Sequence, residues 1–457
     1  MGDVAVNGVG GVTLVLRFAD VGVATYGSLR VVGDPTRTVT WVVADSHLTA
    51  VAEELDAALP VPHGGETTED AVGRALTAGP LASPDAELRW SYHLGSLLLS
   101  EEAWALLSEC VADPRPTLFV TPTARLAQTP FAMLAVPTAS PVTNGSVETA
   151  PAESGVGPEL PDIAELTDGY RLMEIADVVM APPVNIVRAP RRAMSWEDRC
   201  HNPPVLILDP RVPGQRPDSP LGSVLGRPSS SSPVAQHFAG ILESESALPD
   251  VGSAVELFRR SDIDRNWLSR MLQDEPSRLL FVGHASAAPG DAGYAERAAI
   301  HLACPEAIPG YADAVGTHRP FTAADLLADT SRWPMPPRVA LVACASGGDY
   351  RFDEATGMVA AVILSGAEVV TATLWSLPTN AGYRRFSRDA ATEDSDLMAE
   401  LIVAVDTAHR ADDAARSVGR WQRAQMRRWR EGDQSAHPIY WGALVTFVVR
   451  ANQTLPS

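Results

Sequence analysis

Lysine is missing from this chain: all 36 basic side chains are arginine. Without a lysine amine there is no Walker-type P-loop, no kinase phosphate-binding lysine and no Schiff-base or pyridoxal chemistry. Cysteine is scarce. Cys110, Cys200, Cys304 and Cys344 form neither a CxxC pair nor a framework spacing, so the sequence predicts no disulfide scaffold and no zinc knuckle. A reducing cytoplasm is the compartment expected from that usage. No long apolar run occurs; the longest, residues 358–367, is far short of the roughly 20 residues that span a bilayer and reads as a core helix. The first residues carry no basic n-region, and Val6 stands where a myristoylation signal needs Ser or Thr. GxSxG, HExxH and GxGxxG are absent, which leaves serine-hydrolase, zincin and Rossmann readings without support.

What is present is ordinary for a globular protein of 457 residues: 46% hydrophobic, 20% charged and 6% aromatic side chains. Fifty-six acidic against 36 basic groups give a formal charge of −20, the wrong sign for nucleic acid or an anionic membrane. Alternation through residues 12–16, 29–32 and 39–43 predicts an antiparallel edge or lid at the N-terminus, with Gly33-Asp34-Pro35 marking a turn. Helical periods follow around Leu48–Leu55 and over residues 97–111, then a strand at Thr117-Leu118-Phe119-Val120. Residues 137–162 are rich in Pro, Thr, Ser, Gly and Glu and read as a linker or cleavable loop. Residues 210–233 read as a second exposed loop, the serine run 229–232 arguing against burial. Beyond them, apolar strands at residues 205–208, 279–282, 339–342 and 369–374 alternate with helices. One of these carries Ile263, Trp267, Leu268, Met271 and Leu272 after a Ser261 or Asp262 cap; another covers residues 355–365. Such strands imply a parallel sheet covered on both faces.

Two of these strands end in reactive side chains. Phe281-Val282-Gly283 runs into His284, and Leu341-Val342-Ala343 into Cys344. Ligands of open α/β sheets collect at the carboxyl ends of strands, so both groups are expected at one crevice. A histidine beside a cysteine can withdraw its proton, giving a thiolate nucleophile and an imidazolium that later protonates a leaving amine. The small residues Ala345-Ser346-Gly347-Gly348 permit close approach of a substrate backbone. The amides of Cys344 and of Ala285 or Gly283 are then candidates for an oxyanion hole. Taken singly, Cys344 reads as a buried core thiol and His284 as a loop histidine; their shared strand-end placement beside small residues favours chemistry.

Weaker signals are read as follows. Asp349, Asp353 and Glu354 are solvated rather than catalytic. His301 and Cys304, lacking a third ligand, are not a metal pair. The arginines at 416, 420, 423, 427, 428 and 430 form a basic helix, read as a solvated face or a site for an acidic protein partner.

The ordered set of motifs resembles a known family. Leu280-Phe281-Val282-Gly283-His284-Ala285-Ser286, then Phe321-Thr322-Ala323-Ala324-Asp325-Leu326, then Val342-Ala343-Cys344-Ala345-Ser346-Gly347 with Glu354, Gly357 and Met358, are similar to the caspase-related CHAT peptidases. Ser365-Gly366-Ala367-Glu368-Val369-Val370, the segment Thr373-Leu374-Trp375-Ser376-Leu377, and the closing His437-Pro438-Ile439-Tyr440-Trp441-Gly442-Ala443-Leu444-Val445 extend the likeness, as do residues 117–134 upstream. The resemblance implies a caspase-like α/β sandwich with a mainly parallel central sheet flanked by helices, plus a strand-rich N-terminal portion. The units expected are 1–136 packing on the core, a linker over 137–162, and a catalytic domain over 163–450. It implies a cysteine endopeptidase with His284 as general base and Cys344 as nucleophile, with no cofactor and no metal. Its substrate would be a protein, and it would be controlled by a protein activator, self-association or loop cleavage, in bacterial defence or cell death. Two departures stand out. Ala285 replaces the family's usual Gly after the histidine, and Thr379 stands where an Asp would bind a basic P1 side chain. With Thr379 and Trp375 as the S1 candidates, a neutral pocket favours small, apolar or uncharged P1 residues. The alternatives left open are a catalytically silent CHAT scaffold and a small-molecule cysteine hydrolase or acyltransferase.

Overall fold

Side chains alternating in and out along the N-terminal segment produce strands β1 (Thr13–Val21), β2 (Ala24–Val31) and β3 (Asp34–Val43), an antiparallel meander. Gly22, at φ 65°, opens the first two-residue loop in the left-handed region that a side chain would resist. The protein is described here from a computed structural model, covering residues 11–138, 162–182, 186, 194–217, 219–288, 294–344, 346, 357–387 and 395–449. Most of the expected linker, and residues 347–356 after the cysteine with Asp349, Asp353 and Glu354, lie outside the described residues.

The remaining strands are β4 (Thr117–Thr121), β5 (Asp177–Met180), β6 (Val205–Leu208), β7 (Arg278–Gly283), β8 (Ala285–Ser286), β9 (Ala299–Ile300), β10 (Phe321–Thr322), β11 (Arg338–Ala343), β12 (Val369–Thr373) and β13 (Leu444–Val448). Ten of them build one sheet in the order β3-β2-β1-β4-β5-β13-β12-β11-β7-β6, and β10-β9-β8 form a small second sheet. β6, β7, β11 and β12 are mutually parallel; β1, β4, β5 and β13 are also mutually parallel but run the opposite way. The two halves meet at the antiparallel pair β12 and β13. The N-terminal meander therefore extends the main sheet as its edge.

β6, β7 and β11 are buried at every position, as their unbroken apolar runs require of strands covered on both faces. The expected core helix is Met358–Leu364, buried along most of its length, and the N-cap of helix Arg265–Gln273 is Asp264, two residues later than read. The period over 97–111 belongs to two helices, Pro84–Leu98 and Glu101–Glu109, because Ser100 starts a new one by capping the Ala103 amide. At the rim away from the two reactive residues, Arg278 and Arg338 lie side by side in register. Arg278 pairs with buried Asp406, and Arg338 donates to the carbonyls of His409 and Asp412 near the end of helix Leu397–Arg410, where carbonyls concentrate negative charge.

The arginine-rich helix, Ala414–Arg430, leaves Arg420, Arg427 and Arg430 exposed, as a solvated face requires, yet much of its charge is also paired within the chain. Arg416 and Arg423 pair with Asp177, Arg428 with Glu400 and Asp433, and Arg430 with Glu174. Most of its charge is thus spent inside the chain, tying the helix to β5 and to the segment before it.

Candidate active site

Gly283 and Ala343 are register partners on the parallel strands β7 and β11, so His284 and Cys344 are the next residues out at the same rim. Adjacent strands lie roughly 5 Å apart, which brings the two side chains into one neighbourhood. Gly283 is required by close packing: a Cβ there would meet the Phe281 ring at 2.9 Å and Pro210 at 3.3 Å. Both reactive residues are half-buried.

The imidazole is held from behind. Nε2 of His284 is buried and has no hydrogen-bond partner, and the Gly222 carbonyl lies near the ring, where it favours the protonated form. Burial pushes the histidine below its ordinary pKa; the Asp209 carboxylate and the Gly222 carbonyl oppose that shift, and Arg259 adds to it. The ring is therefore neutral at pH 7. Burial pushes the Cys344 thiol up, opposed by the Leu377 amide, the Ser376 hydroxyl and the cysteine's own amide. Burial thus disfavours both charged forms, the thiolate and the imidazolium, in this crevice.

Gly222 is fixed by Asp209, at the carboxyl end of β6. Its buried carboxylate accepts from Ser223 Oγ at 2.6 Å, the Val224 amide at 3.2 Å, the Leu225 amide at 3.4 Å and Arg259 Nη1 at 3.2 Å; Arg259 Nη1 also donates to the Gly222 carbonyl at 2.6 Å. The segment read from sequence as an exposed loop is therefore, over residues 222–225, a wall of this site. Asp209, Gly222, Arg259, Ser376 and Leu377 were not singled out from the sequence. Asp209 had the same signal as the other two, a polar residue ending an apolar strand.

Ala285 opens β8, whose partner is β9. The His301 amide donates to the His284 carbonyl at 2.9 Å, making those two a hydrogen-bonded pair; the next pair, Ala285 with Ile300, must then turn its amides outward. β8 is the edge strand of its sheet, so the Ala285 N–H points away from β9 along the open side. On the cysteine's side, Ser346 Oγ donates to the Leu341 carbonyl at 2.7 Å and accepts from the Thr373 amide at 3.1 Å, fastening the turn after β11 to β12. Trp375 is fully buried and donates to the Ile439 carbonyl at 2.9 Å, so it backs the site instead of lining its surface. Thr379 accepts from the Gly382 amide as the N-cap of helix Asn380–Phe386. His301 bonds to Ser286 and His318, while Cys304 is buried beside Arg265. No group of three or more potential metal ligands occurs among the described residues.

The CHAT domain profile matches residues 93–449. Among solved structures, the chain is similar to one in the Saccharomyces cerevisiae separase-securin complex, with 10% identity and a TM-score of 0.41 over 96% of this chain. The chain spans 30% of the length of that one. No curated protein matches. Among the described residues no helix is long and apolar enough to cross a membrane.

Proposed function

Because the chain belongs to the CHAT domain family, whose profile covers most of it, we propose that it is a cysteine endopeptidase acting through His284 and Cys344. The observation that carries this is the register of Gly283 with Ala343, which delivers a thiol and an imidazole with an unpartnered Nε2 to one rim of the sheet. In the reaction, Nε2 takes the Sγ proton as sulfur attacks the scissile carbonyl carbon, and the amides of Ala285 and Cys344 receive the developing oxyanion. The same Nε2–H then protonates the leaving amine, and water releases the acyl group from sulfur. The Gly222 carbonyl near the ring would accept from Nδ1 and so take the orienting role that the third member of a triad performs. Uncharged P1 residues fit the neutral Thr379 position.

Control by a protein activator or by self-association is what the family likeness implies. A defence or cell-death role rests on the family likeness alone. The test is a mass-spectrometric search for cut peptides in cells expressing the wild-type chain or Cys344→Ala. Sequence-specific cuts present only with the wild type support the peptidase. Cuts that persist in Cys344→Ala, or no cuts under any stimulus, overturn it in favour of a scaffold, and cysteine-dependent turnover of small esters alone favours a small-molecule hydrolase.

A further inference from the structure

The hairpin that carries His284 also carries a second chain of polar side chains. Across it, His301 stands opposite His284, and Ser286 lies two residues along on the same face. Ser286 Oγ is 2.7 Å from His301 Nε2, His301 Nδ1 is 2.9 Å from His318 Nε2, and His318 Nδ1 is 3.1 Å from the Cys304 carbonyl. The last contact fixes every proton. The carbonyl only accepts, so His318 Nδ1 bears hydrogen and its Nε2 accepts; His301 Nδ1 must then donate, and its Nε2 accepts the serine hydroxyl. Both histidines are buried, at 4% and 1% exposure, whereas Ser286 is exposed. Its one proton is committed inward to a base, and its lone pairs face outward at the substrate rim.

We propose that Ser286, His301 and His318 form a second nucleophilic centre, independent of Cys344, which takes activated acyl esters. It has the parts such a centre needs: a hydroxyl within reach of a base and a third group orienting that base. Ser286 Oγ attacks the ester carbonyl carbon and its proton moves to His301 Nε2. The bond to the leaving oxygen breaks, and that oxygen takes the proton from Nε2. Water then gives a proton to the same nitrogen as its oxygen attacks the acyl carbon; the bond to Ser286 Oγ breaks, Oγ takes that proton back from Nε2, and a carboxylic acid is released. Burial, with His318 and His284 facing the ring, lowers the pKa of His301 to about 3. So weak a base accepts a proton only from a hydroxyl attacking a reactive carbonyl, which restricts the substrate to esters with good leaving groups and excludes amides.

The test uses the Cys344→Ala chain, so that its outcome does not depend on the peptidase reading. An alkyl fluorophosphonate is expected to phosphonylate Ser286, located by peptide mass, with no adduct in Ser286→Ala. The same chain is expected to hydrolyse p-nitrophenyl acetate. Labelling should fall about a hundredfold or more in His301→Gln, which removes the base. Absence of a Ser286 adduct in the folded protein, or an equal rate in His301→Gln, overturns the proposal. Should His301→Gln not fold, the labelling rate against pH decides. A rate that stays level from pH 8 to pH 5 supports the buried base, and one that halves near the ordinary histidine pKa of about 6.5 overturns it.

Discussion

Replacing Asp209 should damage both the fold and the imidazole, in proportions that the structure sets. The carboxylate is 1% exposed, satisfies four donors, and sits on a residue with φ of 51°. Asp209→Ala leaves Arg259 without its counter-charge and the Val224 and Leu225 amides without an acceptor, while Ser223 Oγ keeps the Gly226 carbonyl at 2.9 Å. Breaking a buried ion pair costs about 3–5 kcal/mol. Alanine in the left-handed region adds about 1 kcal/mol, while solvent reaching the half-buried 223–225 segment recovers part of the loss. The expected net cost is about 3 kcal/mol. Asp209→Asn tolerates the backbone and keeps one acceptor oxygen, so it should cost less, about 2 kcal/mol. Urea unfolding followed by tryptophan fluorescence measures both. The consequence for chemistry has a sign: Asp209 raises the proton affinity of His284 against burial, so either substitution should lower the His284 pKa further. Nitrogen-resolved NMR of the ring reads that shift. Costs below about 1 kcal/mol together with an unmoved or raised His284 titration would refute the account of Asp209 as the anchor of this wall.

Two further outcomes follow from buried charge. Burial holds His301, His409 and His437 at about 3, whereas the unfolded chain takes up those protons near pH 6.5. Between those values the unfolded state binds more protons, so stability should fall on acidification by up to about 4 kcal/mol per pH unit for the three groups together. Asp406 does not offset this: although its burial favours the neutral acid, His237 and Arg278 hold it below the usual carboxylate range, and its contribution is lost only at still lower pH. Urea midpoints at pH 7, 6 and 5 check the slope, and a flat series contradicts it. Glu87→Gln should cost about 3–5 kcal/mol, because the carboxylate holds Arg171 through contacts of 2.6 and 3.2 Å with both side chains buried. Calorimetry of this variant beside Glu87→Gln with Arg171→Met tests it. If the pair is what matters, the double variant recovers much of the loss.

The strands that position the candidate site were legible because they are buried on both faces and therefore read as unbroken apolar runs, as in residues 279–282 and 339–342. Their ends were legible for the same reason, since His284 and Cys344 interrupt those runs. What composition could not give was the partner of a loop. Residues 219–225 read as a loop from Pro220 and Gly222, and only the tertiary approach of Asp209 and Arg259 makes them part of a wall. The arginine helix was legible only in part: four of its charges are answered by Asp177, Glu174 and Glu400, remote in sequence, and by Asp433, five residues from Arg428. Trp375 was placed by motif likeness, and its indole is buried by a carbonyl 64 residues away.

The seam between the opposed halves of the main sheet has a bearing on biogenesis. β13 is the latest of the described strands along the chain, yet it lies between β5 and β12, at the centre of ten. A nascent polypeptide emerging from the ribosome must keep both flanking backbones unpaired until residues 444–448 arrive, a period in which intermolecular pairing competes with completion. Until the keystone arrives the two ribbons share no strand, and a premature stop ahead of it would leave them without backbone pairing to each other.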